Sequence, residues 1–81
     1  MRSLGKLEDS FRQGLALPRS FDVTTAESTN LRQWDSVAHL QLVIAIEDTF
    51  GIQLTPAEVI DLNSFNAAAT MLRRRGVWAD D

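Results

Sequence analysis

Apolar residues recur along this chain at helical spacing, and nowhere do they alternate as a half-buried strand requires. Leu4, Leu7, Phe11 and Leu15 share one side of a helix at about 3.6 residues per turn, so the spacing predicts a first helix from about Ser3 to Leu17, closed by Pro18. Gly5 and Gly14 weaken it. From Pro18 to Trp34 no period persists. A loop this long in a small domain has to be pinned by its own side chains, and Phe21, Val23 and Leu31 are the candidates, with room for a short helical turn.

The second helix is expected from about Ser36 to Phe50, with Asp35 as its N-cap and Gly51 as its stop. The run Thr55-Pro56-Ala57-Glu58 is a capping box opening a short third helix, about Pro56 to Asp61. Asn63 or Ser64 caps a fourth, in which Phe65, Ala68, Ala69 and Leu72 repeat before Gly76, and the closing residues 77–81 are expected to fray. The fold class is therefore all-α: a small antiparallel four-helix bundle with a short third helix and a long first loop, a single domain over residues 1–81 with an ordered core of about residues 4–75.

On a helical wheel the apolar residues of the second helix separate into two groups. Leu42, Val43, Ile46 and Phe50, joined by His39, form a core seam, while Val37, Leu40 and Ile44 lie on a second strip flanked by Ser36, Glu47 and Asp48. A surface helix needs one stripe for its core. Either the loop or the short third helix covers the second strip, or it is an exposed docking surface rimmed by acids.

Composition narrows the chemistry. The chain has 81 residues and no Cys, and its single His argues against a structural zinc site. No segment reads as a signal peptide or a membrane span, so a cytoplasmic protein without membrane attachment is expected. The net charge of −3 is unevenly spread: no Lys or Arg lies between Gln33 and Leu72, whereas Asp35, Glu47, Asp48, Glu58 and Asp61 do. Such a face repels nucleic acid and suits basic protein partners. Arg73, Arg74 and Arg75 read as a solvated last helical turn complementing the helix dipole, with a binding patch as the other reading.

Asp35, Ser36 and His39 bring an acid, a hydroxyl and an imidazole together, and three readings compete. A nucleophile with its base fails on geometry, because adjacent Asp35 and Ser36 project in different directions whereas a triad needs its acid beyond the imidazole. No catalytic residue is assigned, and His39 is read as a packed, hydrogen-bonded core histidine. A plain helix cap is the structural reading. The third is attachment, since a phosphodiester on Ser36 would sit beside free backbone N–H groups and the positive end of the helix dipole, with no Lys or Arg needed.

The stretch WDSVAHLQLVIAIEDTFGIQLTPAEV resembles the acyl carrier proteins, in which the serine of an Asp-Ser-Leu motif receives 4′-phosphopantetheine from coenzyme A. The likeness runs from about Leu4 to Arg75 and takes in Phe50-Gly51-Ile52, the acid of the third helix and the helix from Phe65 to Leu72. Val37 stands where Leu is usual, and Gln41 where the family often has an acid.

By this resemblance Ser36 is the attachment serine and Asp35 supports it, toward the transferase's metal site. The covalent arm holds an acyl group as a thioester, and the protein itself binds no metal. Val37, Leu40 and Ile44 would dock apolar pockets, while Glu47, Asp48, Glu58 and Asp61 would meet basic rims. The implied partners are a phosphopantetheinyl transferase and acyl-loading or acyl-processing enzymes such as an acyltransferase, ketosynthase or ligase, with no nucleic acid and the carrier a monomer.

A start at Met and an end soon after the last helix read as a free-standing carrier, with a domain cut from a larger synthase as the other possibility. Fatty acid, polyketide or related secondary-metabolite synthesis are the candidate pathways. An aminoacyl or peptidyl carrier, or an unmodified helical interaction module, stand as alternatives. The seam of Leu42, Ile46, Phe50, Phe65 and Leu72 is a candidate shelter for greasy cargo.

Overall fold

The structure, a computed structural model, describes residues 3–78. Four helices form: α1 (Ser3–Leu15), α2 (Ser36–Phe50), α3 (Pro56–Asp61) and α4 (Phe65–Arg74), with a 3-10 turn at Val23–Thr25 inside the first loop. The helical bundle and its short third helix are as the periodicity predicts, and no strand is present among the described residues.

Helix α1 stops two residues short of the expected end. Ala16 takes a left-handed backbone (φ 54°), and the Leu17 N–H returns to the Arg12 carbonyl at 3.0 Å, which tucks Leu17 into the core. A non-glycine residue in this conformation costs about 1 kcal/mol or more, offset here by Leu17 burial. Leu7, Phe11 and Leu15 are buried as the spacing requires, but Leu4 is 45% exposed and Ser3 and Ser10 are buried instead. The Ser10 hydroxyl donates to the Lys6 carbonyl at 2.9 Å and meets the Thr49 hydroxyl at 3.2 Å, so its burial leaves no unpaired oxygen.

Helix α1 packs chiefly on α2, and Gly14 is the reason the two come so close. A Cβ at Gly14 would lie 2.6 Å from the Leu42 Cα and 2.9 Å from the Leu42 N. This glycine is a contact point between two backbones, not the simple weakness that helix propensity suggests. Behind it lie Leu42 and Ile46 of α2 and Phe65, Ala68 and Leu72 of α4, all buried. Phe11 sits between aromatic neighbours, its ring 5.1 Å from Phe65 and 5.7 Å from Trp34, the latter edge-on at 85°.

The long loop is pinned more firmly than its composition suggests. Val23 is buried, with Phe21 and Leu31 partly so, but Ala26 and Trp34 are buried too. Asp22 caps the 3-10 turn through the Thr24 amide and hydroxyl, which hold its carboxyl below the usual value. An antiparallel bridge at Glu27 and Ser64 then ties the loop to the α3–α4 junction: the Phe65 N–H donates to the Ala26 carbonyl at 3.0 Å and the Ser28 N–H to Asn63 at 2.9 Å.

Ser64, rather than Asn63, caps α4, its hydroxyl accepting from the Ala67 N–H at 2.9 Å. The expected fraying after Gly76 does not hold for its first two residues. The Val77 N–H bonds back to Leu72 at 3.2 Å, Val77 and Trp78 pack against the core, and the Arg73 guanidinium lies 4.8 Å from the Trp78 ring centre. Apolar side chains with a shielded surface within reach do not stay in water. Residues 79–81, the remainder of that expectation, lie outside the described residues.

Gly14→Ala is expected to lose about 1–3 kcal/mol of unfolding free energy, because backbone atoms have to move. Gly5→Ala, whose added methyl would meet nothing within 4 Å, is expected to be neutral or to gain at most about 1 kcal/mol. Urea denaturation of the two variants checks the contrast.

Candidate functional site

The start of α2 is assembled from three consecutive residues with different tasks. Trp34 is 8% exposed, anchored against Phe11, and its backbone N–H closes a turn onto the Leu31 carbonyl at 3.1 Å. Asp35 adopts extended backbone and caps the helix, its carboxylate accepting from the Ala38 N–H at 2.9 Å. Ser36 follows as the first helical residue and is exposed. Its hydroxyl has no hydrogen-bond partner among the described residues. The Ser36 and Val37 N–H groups precede the helical ladder, so both have donor capacity left for an anion at the helix start.

His39 explains why this is not a nucleophile with its base. The Trp34 indole N–H donates to His39 Nδ1 at 2.9 Å, and His39 Nε2 lies 2.7 Å from the Val59 carbonyl. An indole only donates and a carbonyl only accepts, so His39 is neutral with its proton on Nε2. Neither ring nitrogen is left to take a proton from Ser36. The ring also stacks on Trp34 at 6.1 Å, and the packed histidine of the sequence reading is observed, half-buried rather than fully so.

The second apolar strip is uncovered. Val37 is 65% exposed, Leu40 59% and Ile44 56%, so neither the loop nor α3 folds over it. Ile60 on α3, 78% exposed, joins the uncovered apolar residues and was not singled out in the sequence. The one available signal was its place beside Val59 in a helix too short to bury both. Between α2, α3 and the first loop lies an open cleft of about 550 Å³ whose lining includes Ser36, Leu40 and Ile60.

The acids do not form the uniform face that the sequence run suggests. Glu47 turns inward and accepts from the Leu54 N–H at 2.8 Å. Glu58 completes the capping box, taking the Thr55 N–H at 2.9 Å, and is clasped by Arg75, whose Nε donates to it at 2.9 Å and whose Nη2 also reaches the Gln53 carbonyl at 2.7 Å. Arg75 lies outside the Lys-free segment in sequence but is folded back upon it. It is therefore not part of a solvated last turn, as the reading of the Arg73–Arg75 run had it. The carboxylates of Asp48 and Asp61 are exposed and without partners among the described residues. No group of three or more metal-ligating side chains occurs among the described residues, and no described helix is long and apolar enough to cross a membrane.

A family model for the phosphopantetheine attachment site matches residues 21–72, which take in most of the first loop, α2, α3 and nearly all of α4. The chain belongs to this family. Its members bind 4′-phosphopantetheine covalently and act as carriers, not catalysts, so this protein is a phosphopantetheine-carrying protein that works with a transferase and with biosynthetic enzymes. No curated protein and no solved structure matches the chain significantly.

The Glu58 clasp makes stability depend on acid. Hydrogen bonds from Arg75 and then from the Thr55 backbone hold the Glu58 carboxyl at about 2, below its ordinary 4.5. A depressed carboxyl stabilises the fold above its unfolded value and loses that contribution as pH falls through the folded one. Stability from this pair should therefore be full above about 4.5 and decline between there and about 2. Glu58→Gln should flatten this part of the profile, as thermal midpoints measured across that window will show.

Proposed function

We propose that Ser36 carries the 4′-phosphopantetheine arm and that the chain presents acyl intermediates, held on the arm as thioesters, to partner enzymes. The observation that carries this reading is the combination at the start of α2: an exposed, unbonded hydroxyl in the first helical position, beside an imidazole with no free nitrogen. Asp35 fixes the start of the helix, so that Ser36 projects from an ordered turn.

Loading forms a bond from Ser36 Oγ to the phosphorus of the phosphopantetheine half of coenzyme A. The pyrophosphate bond breaks and adenosine 3′,5′-bisphosphate leaves. The hydroxyl proton goes to a base that the transferase has to supply, because His39 is committed. The phosphodiester then lies against the Ser36 and Val37 amides, at the end of a helix where an anion gains about 0.3–1 kcal/mol. When bound, the arm supplies a terminal thiol, the only one in a chain without Cys.

Val37, Leu40 and Ile44 give partners an apolar strip that runs from the attachment point along α2. Asp48 and Asp61 supply open charge to steer basic partners, whereas Glu47 and Glu58 serve the strip by holding the α2–α3 loop and α3 in place. A strip this short suits a small, quickly released interface.

Intact mass after incubation with coenzyme A and a promiscuous phosphopantetheinyl transferase tests the assignment. The chain should gain one phosphopantetheinyl group and Ser36→Ala none. Gain by Ser36→Ala would put the arm elsewhere, and no gain by the unaltered chain would leave an unmodified interaction module as the better account.

A further inference from the structure

Helices α3 and α4 enclose a second groove, of about 320 Å³, which attachment at Ser36 leaves unused. Its apolar lining is Leu62, which is buried, with Ala67 and Met71, which are half-buried. Asp61 and Arg74 add charge; both are exposed, and neither side chain has a hydrogen bond or ion pair among the described residues. Glu58, the third charged residue there, is already clasped by Arg75. The two open charges are held at opposite ends. The Asn63 N–H bonds to the Asp61 carbonyl at 2.9 Å just before Ser64 caps α4, which keeps Asp61 at the start of that helix. Arg74 ends α4, more than two turns and about 12 Å further along its axis than Asn66, which also lines the groove. The Arg75 bonds to Glu58 and to the Gln53 carbonyl secure that far end.

We infer that this groove docks an amphipathic helical segment of a partner enzyme, which lays an apolar side chain on Leu62 and Met71, a carboxylate on Arg74 and a cation on Asp61. The charges set both order and spacing. On a helix, positions i, i+4 and i+7 share a face, and the outer two are about 10 Å apart, so a Glu, a Leu and an Arg placed there meet Arg74, the apolar lining and Asp61 in turn. The opposite order sets like charges against each other at both ends. Met71 adds tolerance, because its unbranched thioether adapts to the shape of the side chain it receives.

The inference does not depend on where the arm is attached. Ile60 of α3 lines the cleft beside Ser36, whereas Glu58 and Asp61 line this groove, so α3 separates the two and Leu62 is the one residue they share. A partner held here leaves Ser36 and the Val37, Leu40 and Ile44 strip open to a second enzyme. It also keeps the chain close to that enzyme, which raises the effective concentration of whatever the chain carries without a stronger contact at the strip.

The test titrates the nitrogen-15-labelled chain with a capped, Ala- and Gln-based helical peptide carrying Glu, Leu and Arg at i, i+4 and i+7, and with a control in which Glu and Arg are exchanged. The first peptide should move the Leu62, Ala67, Thr70 and Met71 amides saturably, and the control should bind about three- to tenfold more weakly, the worth of one or two exposed charge pairs. Ala67→Gln, which lays a longer side chain across the groove, should abolish the shifts, and the double variant Asp61→Arg with Arg74→Asp should prefer the control peptide. Circular dichroism will confirm that the variants keep the fold. Equal binding of the two peptides, no saturable shift, or shifts centred on Val37, Leu40 and Ile44 would overturn the inference. Movement of the groove amides on concentrating the chain alone would make the occupant a second copy and overturn it also. Ser36 loading is read separately by mass and should proceed at an unchanged rate in Ala67→Gln, so failure here and failure of the attachment assignment are told apart.

Discussion

Burying the Trp34 indole at the mouth of α2 obliges its N–H to find a partner, and His39 is the partner it finds. That bond settles much of the rest. It fixes the imidazole as the neutral Nε2–H form, which then reaches the Val59 carbonyl and ties α3 to α2. Trp34 is in turn held against Phe11, which touches Phe65, so a line of rings runs from the centre of the core to the residue preceding the N-cap. The start of α2 is therefore anchored on its inner side while Ser36 stands in water on the outer side.

Helix α3 shows what such polar ties accomplish. None of its residues is buried, and a six-residue helix has little stability of its own. It is held by the His39 bond to Val59, by its capping box and by the Arg75 clasp on Glu58. Because these ties act from the edges, the face between α2 and α3 is not closed by packing, and an open cleft remains beside the attachment point. With Glu58 held in these ties and Glu47 in its bond to Leu54, the Asp48 and Asp61 carboxylates remain as open charges.

Most of the architecture could be read from periodicity and caps, because those signals are local. Asp35, Thr55 and Glu58 announce helix starts through their own neighbours, and the two stripes of α2 follow from its wheel alone. What escaped the sequence was non-local. The contact of Gly14 with Leu42, the return of Arg75 to Glu58 and the docking of Val77 and Trp78 on the core each depend on segments far apart in the chain. Ile60 escaped because apolar residues in a short helix are ordinarily assigned to the core, and here α3 lies too far outside it to bury them. Ser36, by contrast, was legible as a candidate from its position after Asp35, and the engagement of both His39 nitrogens removes the reading that competed with attachment on chemistry.

The central claim is that one exposed hydroxyl, at the anchored start of α2, bears the arm through a phosphodiester. A phosphorus–proton correlation spectrum of the loaded chain reads that bond directly. The account predicts a single phosphodiester resonance coupled to the Ser36 β-protons; coupling to the side-chain protons of any other residue, or no coupling to the protein at all, would contradict it.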